Sequence, residues 1–122
     1  MGYGDFDAII MLGALEHFGL GFYGDPLDED GDSRTMRIAA SRLRPGGWVY
    51  ADVPCQSVAR VSENRHYRMY APGGVAPRLL GNWLRERARG YSLPEPEAGV
   101  WVDEPQTDRV PYWFVAFVAA RP

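Results

Sequence analysis

The fold of this chain is limited first by a nearly continuous apolar run at residues 6–12, Phe-Asp-Ala-Ile-Ile-Met-Leu. A short apolar run without alternation is typical of a strand that is covered on both faces, as in a parallel sheet. A second strand is predicted at residues 48–53, where β-branched and aromatic side chains end at Pro54. The 35 or so residues between the two strands must therefore contain the crossover of a βαβ unit.

The crossover contains an amphipathic helix. Apolar side chains recur at the spacing i, i+3, i+4 and i+7, at Met36, Ala39, Ala40 and Leu43. Asp32 or Ser33 is a suitable N-cap, and the glycine turn at residues 45–47 is predicted to end the helix. Strand, loop, helix, glycine turn and strand predict a right-handed parallel unit.

The second half of the chain predicts one more helix and two more strands. The helix is expected to begin at Pro77, to bury Leu79, Leu80, Trp83 and Leu84, and to end at Gly90. Strands are predicted at residues 100–102 and 112–119. The turn-like segment 103–111 between them favours an antiparallel hairpin.

Composition excludes several classes of protein. The chain has 122 residues, about one small domain, and its 13 Arg and 16 acidic residues give a net charge of −3. An acidic chain is not expected to bind nucleic acid or anionic membranes. The single cysteine, Cys55, excludes an intrachain disulfide and is expected to be a small buried filler. No apolar run reaches the ~18 residues of a membrane span, and no basic leader is present, so we expect a cytoplasmic domain.

The first candidate site is the pair Glu16 and His17, which follows the first strand. Ligands of open α/β sheets collect at the carboxyl ends of the strands. An imidazole, with an ordinary pKa of about 6.5, can act there as a general base. The alternative is that both side chains only satisfy backbone groups of the loop, and position alone does not decide between them.

Five carboxylates lie within residues 25–32, Asp-Pro-Leu-Asp-Glu-Asp-Gly-Asp. Aligning Gly31 with the glycine of an EF-hand loop places Pro26 at the first ligand position and Arg37 at the last, so an EF-hand is rejected. We predict no metal site here. Acids immediately before a helix complement its dipole and cap it.

The third candidate is the polar and aromatic segment 64–70 after the second strand, at the same predicted edge as Glu16 and His17. We expect it to bind a substrate, through Asn64, His66, Arg68 and Tyr70; the alternative is a solvated loop. Both histidines of the chain fall on this edge.

Taken in order, these residues resemble the C-terminal half of a class I S-adenosylmethionine-dependent methyltransferase. The matching pieces are Phe-Asp at 6–7, Leu-Glu-His at 15–17 and Leu-Arg-Pro-Gly-Gly at 43–47. Residues 16–32 resemble more specifically the methyltransferase-like family called domain of unknown function 268, which the segment 64–70 also fits. The resemblance covers about residues 5–85.

The resemblance implies an α/β, Rossmann-like methyltransferase half-fold within a single partial domain, residues 1–122. The family's sheet order is 3-2-1-4-5-7-6, and this chain would supply strands 4-5-7-6, with flanking helices and a C-terminal antiparallel hairpin. The N-terminal cofactor-binding half would be missing, because no Gly-x-Gly-x-Gly follows a strand here. Leu12 and Gly13 would approach the cofactor through backbone atoms, and His17 and Glu16 would be catalytic.

Two functions follow from this resemblance. In the first, the chain is the substrate-side half of a methyltransferase, with a small-molecule or saccharide-like acceptor, and it binds S-adenosylmethionine only if the missing half is supplied. In the second, it is a non-catalytic fragment or interaction module. A bare apolar strand at residues 6–12 would forfeit on the order of 10 kcal/mol of burial, so we expect self-association or a partner chain covering it. A nucleotide-binding domain of another type is ranked last, because the chain has no phosphate loop.

Overall fold

The computed structural model describes residues 6–93, 101–103 and 111–122. The helices are α1 (Gly31–Arg42) and α2 (Val75–Leu79), with two short 3-10 helices at Leu15–His17 and Pro72–Gly74. The strands, in chain order, are β1 (Phe6–Met11), β2 (Leu43–Cys55), β3 (Arg60–Val61), β4 (Arg68–Met69), β5 (Arg85–Ser92), β6 (Trp101–Val102) and β7 (Trp113–Ala120).

The predicted βαβ unit is present. Strand β1 pairs in parallel with β2, from Ala8 opposite Trp48 to Met11 opposite Ala51, and α1 forms the crossover. The helix buries Met36, Ala39 and Ala40 in the core, as its spacing predicts. Because the two strands are parallel, their carboxyl ends meet at one edge of the sheet, where the predicted site lies.

The five-stranded sheet has the order β1-β2-β7-β5-β6, and β7 is antiparallel to both of its neighbours. The first four strands correspond to the expected order 4-5-7-6, so the predicted half-fold is confirmed. Trp113, Phe117 and Val115 of β7 are almost fully buried against Val49 and Val53 of β2. The core therefore lies along the two central strands.

The prediction of a helix from Pro77 to Gly90 is wrong for most of these residues. Helix α2 ends at Leu79, and residues 85–92 form β5 instead. Arg, Glu and Ala favour a helix locally, but β7 offers a row of backbone hydrogen-bond partners, and β5 pairs with it from Arg85 to Ser92. The tertiary pairing outweighs the local propensity.

The predicted hairpin also has a different first arm. Strand β6 pairs with β5, with Tyr91 opposite Val102, and not with β7. Both sides of β7 are already occupied by β2 and β5, which leaves no room for a third neighbour. Val100 and most of the predicted turn, residues 104–110, lie outside the described residues.

The glycine turn predicted at residues 45–47 belongs to the beginning of β2, and α1 ends earlier, at Arg42. The register between β1 and β2 shifts here, between Phe6 and Ala8. Gly46 and Gly47 pair with Arg121 at the end of the chain, through bonds of 2.8 Å each. These backbone bonds extend the strand through the turn-like sequence.

Strand β1 lies at the edge of the described sheet and pairs with β2 alone. Its side chains Phe6 and Ile10 are 47% and 62% exposed, and Leu12 just beyond it is 66% exposed. Among the described residues, the apolar edge at β1 is therefore exposed, as expected. Within the described ranges, no helix has both the length and the apolarity that a membrane crossing requires.

Candidate functional site

The carboxyl ends of β1 and β2 are joined by a backbone-to-carboxylate hydrogen bond. Gly13, directly after β1, donates its N–H to Oδ1 of Asp52 in β2 over 2.7 Å. Gly13 has φ +56°, a conformation that a residue with a side chain adopts only with strain. The two residues predicted to approach a cofactor, Leu12 and Gly13, are thus exposed at the sheet edge, with a carboxylate beside them.

Glu16 is a buried carboxylate in the 3-10 helix that follows, with only 7% of its surface exposed. Its Oε2 atom has no hydrogen-bond partner among the described residues. Burial raises the pKa of Glu16, and the charge of Asp52 adds to the rise, while its own backbone N–H and His17 act in the opposite direction. A positive charge placed beside this carboxylate would therefore be stabilised.

His17 has the geometry of a base with a fixed tautomer. Its Nδ1 lies 2.5 Å from the carbonyl oxygen of His66. Since a carbonyl only accepts, Nδ1 carries the proton, and Nε2 of the neutral ring is left to accept one. Nε2 lies 3.6 Å from Oε1 of Glu16, so a carboxylate is placed to stabilise the imidazolium that would form.

The His17 cavity, of about 350 Å³, opens beside this pair and is lined by both Glu16 and His17. The cavity is bounded on its other sides by Pro54, Tyr67 and Met69. The His17 side chain is about a quarter exposed, so its ring can meet a molecule in the cavity.

The structure brings His66 next to His17, although 49 residues separate them in the chain. The ring centroids are 4.8 Å apart, and Phe22 packs on His66 at 4.2 Å. Nε2 of His66 lies 2.8 Å from the Tyr23 hydroxyl. The His66 N–H donates to Oγ of Ser62 and, at 3.2 Å, to Oδ1 of Asn64, so Asn64 shapes the turn that presents this ring.

Arg68 and Tyr70 lie deeper than a solvated loop would place them, at 5% and 2% exposure. The Arg68 guanidinium donates to the carbonyl oxygens of Phe18, Asp28 and Glu29. Arg68 thereby holds the loop before α1 against β4, while the Tyr70 hydroxyl donates to Asp32 of α1, and both residues line a cavity. Their role in substrate binding stays a prediction.

Sequence reasoning missed a buried ion-pair network around Asp32, which is fully buried in the first turn of α1. Arg78 donates to its two oxygens over 2.7 and 2.8 Å, and the Tyr70 hydroxyl donates over 2.6 Å. Burial alone would raise the pKa of Asp32, but these hydrogen bonds and the nearby arginine charges hold it below its usual value. No local signal marks this network, because Arg78 lies 46 residues away.

Two other acids of segment 25–32, Asp25 and Asp28, have structural partners close by in the chain. Asp25 accepts a hydrogen bond from the N–H of Gly19 over 2.7 Å, and Asp28 pairs with Arg34 over 2.8 Å. The N-cap position of α1 is Asp30, whose side chain makes no capping bond, and not Asp32 or Ser33. The acids therefore organise the loop and the beginning of α1 by pairing rather than by side-chain capping.

One protein family matches this chain. Its model is described as a Caenorhabditis protein of unknown function, DUF268, and it matches residues 2–84. A comparison with curated protein sequences finds no match.

Solved structures share the fold over nearly the whole chain. The 1,6-didemethyltoxoflavin-N1-methyltransferase of Burkholderia thailandensis, with bound S-adenosylhomocysteine, matches with a TM-score of 0.66 and 18% identity, over 99% of this chain and 46% of that one. The N-methyltransferase NodS of Bradyrhizobium japonicum matches with 0.55 and 15% identity, over 100% and 49%. The cyclase SpnF matches with 0.62 and 12% identity, over 100% and 53%. The chain spans about half the length of these proteins, and at such identities the likeness establishes the fold alone.

Proposed function

The chain belongs to the family described as Caenorhabditis protein of unknown function, DUF268, and from this premise we propose that it is the substrate-side half of an S-adenosylmethionine-dependent methyltransferase. The observation that carries the proposal is the sheet order β1-β2-β7-β5 with β7 reversed, in a fold that methyltransferase structures share over 99–100% of this chain. The acceptor is a small molecule, with a saccharide-like compound as one candidate. A cytoplasmic location is part of the proposal.

The residues at the end of β1 suit one side of a cofactor site. S-adenosylmethionine supplies an electrophilic methyl group on a positively charged sulfonium. Gly13 has no side chain to obstruct a ligand, and Glu16 keeps a buried oxygen without a partner among the described residues. Leu12 and Gly13 are proposed to contact the cofactor through their backbone. Class I methyltransferases also bind the cofactor through a glycine-rich loop and through an acidic residue that holds the ribose. Both would come from an upstream segment or from another polypeptide.

His17 is proposed to be the general base of the reaction. As the nucleophile of the acceptor forms its bond to the methyl carbon, the bond from that carbon to the sulfonium sulfur would break and release S-adenosylhomocysteine. The proton of the nucleophile would pass to Nε2 of His17, and Glu16 would stabilise the imidazolium. Asn64, His66, Arg68 and Tyr70 are proposed to form the acceptor side. Methyl transfer needs the nucleophile and the methyl group to lie in line, so much of the rate enhancement would come from positioning these two groups.

Calorimetric titration with S-adenosylhomocysteine tests the proposal. The chain is titrated alone and together with the polypeptide encoded directly upstream of Met1. We expect micromolar binding once the upstream half is present, and at least tenfold weaker binding for Glu16→Ala in the same complex. Glu63→Gln, an exposed residue, is the control and should bind as the unmodified chain does. An absence of binding in both preparations would contradict the proposal.

A second function, an interaction module that pairs through β1, is favoured by one specific observation. The exposed Phe6, Ile10 and Leu12 form an apolar row at a strand edge that has no partner among the described residues. The likeness to a cyclase also indicates that this fold serves chemistry other than methyl transfer. Stable association without any cofactor binding would favour this second function.

A further inference from the structure

A second cavity, also of about 350 Å³, adjoins the His17 cavity and shares the side chains of Arg60 and Met69 with it. We call it the arginine cavity, because four arginines line it, at positions 60, 65, 68 and 78. Glu29 is the one acidic residue of its lining. This concentration of positive charge occurs in a chain whose net charge is −3.

Three of these arginines have neutral hydrogen-bond partners. Arg60 donates to Oε1 of Gln56, and Arg65 donates to the carbonyl oxygen of Leu20 over 3.0 Å. Arg68 donates to loop carbonyls. Among the described residues, none of the three forms an ion pair with a carboxylate, whereas Arg78 is paired with Asp32.

The buried position of Arg68 makes an anionic ligand favourable. A charge withdrawn from water is unfavourable unless an opposite charge accompanies it, and Arg68 is only 5% exposed. Carbonyl oxygens satisfy its donors without neutralising its charge. The charge of Arg68 also acts on Asp28 and Asp32, but it forms no ion pair with either of them. An oxyanion in the cavity would supply a direct countercharge and accept hydrogen bonds from the guanidinium groups.

The backbone holds Arg65 at the cavity. It has φ +59°, the one non-glycine residue with a positive φ among the described residues. Such a conformation is costly for a residue with a side chain, and it persists where the surrounding structure enforces it. Here Ser62 accepts from two backbone N–H groups after the turn, and the Arg65 N–H donates to the Ser62 carbonyl. The turn between β3 and β4 is thereby fixed.

We propose that the arginine cavity binds an oxyanion group, a phosphate, sulfate or carboxylate, that is part of the methyl acceptor. The acceptor is then an anionic small molecule. Its charged end lies among Arg60, Arg65 and Arg68. Its nucleophile reaches His17 in the neighbouring cavity, past the side chains of Arg60 and Met69 that line both cavities. One part of this inference rests on the proposed function, namely that the bound anion belongs to the methyl acceptor. The anion site itself stands on the cavity and on arginines that have no carboxylate partner among the described residues.

The test is a titration of the ¹⁵N-labelled chain with inorganic phosphate at constant ionic strength, followed through the arginine Nε–Hε resonances. We expect saturable shifts at Arg60, Arg65 and Arg68. Arg65→Gln should weaken phosphate binding at least tenfold. Arg87→Gln removes the same charge from an exposed site beside Gly46 and Trp48, outside the arginine cavity, and should change binding less than twofold.

A parallel titration with benzoate separates a carboxylate from a phosphate as the preferred oxyanion, and saturation by either ion supports the proposal. Shifts that remain linear for both ions would overturn it, as would equal weakening by Arg65→Gln and Arg87→Gln. Arg60→Gln serves as a second variant if Arg65→Gln fails to fold. The titration needs no cofactor, so its failure is distinguishable from a failure to bind S-adenosylhomocysteine.

Discussion

Asp32 and Glu16 are both buried carboxylates, yet their surroundings shift their pKa values in opposite directions. Burial raises the pKa in both cases, but Asp32 receives hydrogen bonds from Arg78 and Tyr70 that more than offset this effect. Glu16 has only its own backbone N–H and the imidazole of His17 to favour its charged form, and a like charge lies nearby at Asp52. Asp32 thus stabilises the fold, whereas Glu16 can still bind a cation or a proton.

Asp32→Asn should lower the free energy of unfolding by about 2 kcal/mol, because it leaves the Arg78 charge without its partner. Urea denaturation at pH 7 measures the loss. Asp7→Asn is the matched control, since the pair of Asp7 with Arg44 is exposed and contributes less than about 1 kcal/mol. If both variants lose the same free energy of unfolding, the buried pair contributes no more to stability than the exposed one.

The lowered pKa of Asp32 also predicts an acid dependence of stability. A carboxylate with a lowered folded-state pKa contributes stability that is fully present above its unfolded pKa, about 3.9, and is lost as the pH falls through the folded-state value. The unmodified chain should therefore lose stability below about pH 4 more steeply than Asp32→Asn does. Urea midpoints measured from pH 6 to pH 3 would test this, and parallel curves would contradict it.

Glu16→Gln should stabilise the protein at neutral pH, where the buried charge is unfavourable. The pKa of Glu16 is raised, so its stabilising contribution is present below the unfolded pKa, about 4.3, and is lost as the pH rises through the folded-state value. We expect the variant to be more stable than the unmodified chain at pH 8 and similar to it at pH 4. Glu63→Gln, at an exposed position, should show no such difference.

At the scale of single elements, the loop between β1 and α1 is held by close backbone packing. The Gly19 carbonyl accepts from the Asp28 N–H over 2.9 Å, and Gly31 at the beginning of α1 packs on the Gly19 Cα. This packing fixes the carbonyl groups that Arg68 binds. Gly19 and Gly31 therefore serve loop closure, and they need no phosphate ligand to account for them.

Gly19→Ala should destabilise the chain by about 3 kcal/mol, since its Cβ would lie 2.0 Å from the Asp28 carbonyl oxygen at a residue with φ +79°. Gly24→Ala is the control, because Gly24 has φ +82° but an added Cβ there would meet nothing within 4 Å. Gly24→Ala should lower the free energy of unfolding by only about 1 kcal/mol, the cost of a left-handed backbone conformation at a residue with a side chain. Thermal unfolding followed by circular dichroism compares the two, and similar losses would refute the steric explanation.

At the scale of the whole molecule, strand β1 is an outer strand of the described sheet. Strand β7 is buried or half-buried along its length and β2 buries one face, while β1 leaves Phe6 and Ile10 exposed. An edge strand of this kind pairs readily with another chain unless it is covered or charged. The exposed edge of β1 matters for both candidate functions, because an upstream half and a second copy of the chain would compete for it.

Ile10→Lys should reduce concentration-dependent association, because it places a charge in the middle of the exposed face of β1. Light scattering between micromolar and millimolar protein concentrations measures the change. Leu27→Lys makes the same chemical change at a loop residue that is 72% exposed, compared with 62% for Ile10. If both variants lower association equally, net charge is the cause and the β1 edge is not.

The sequence by itself determined the parallel unit and the edge where the candidate site lies. Apolar runs and helical spacing are local patterns, and parallel strands must bring Gly13, Glu16 and His17 to the edge that also receives segment 64–70. Only the tertiary structure decided that residues 85–92 form a strand, that Asp32 pairs with Arg78, and that His66 stacks beside His17. These outcomes depend on partners 20 to 50 residues distant, whose hydrogen bonds and charges outweigh local propensity only once the chain has folded.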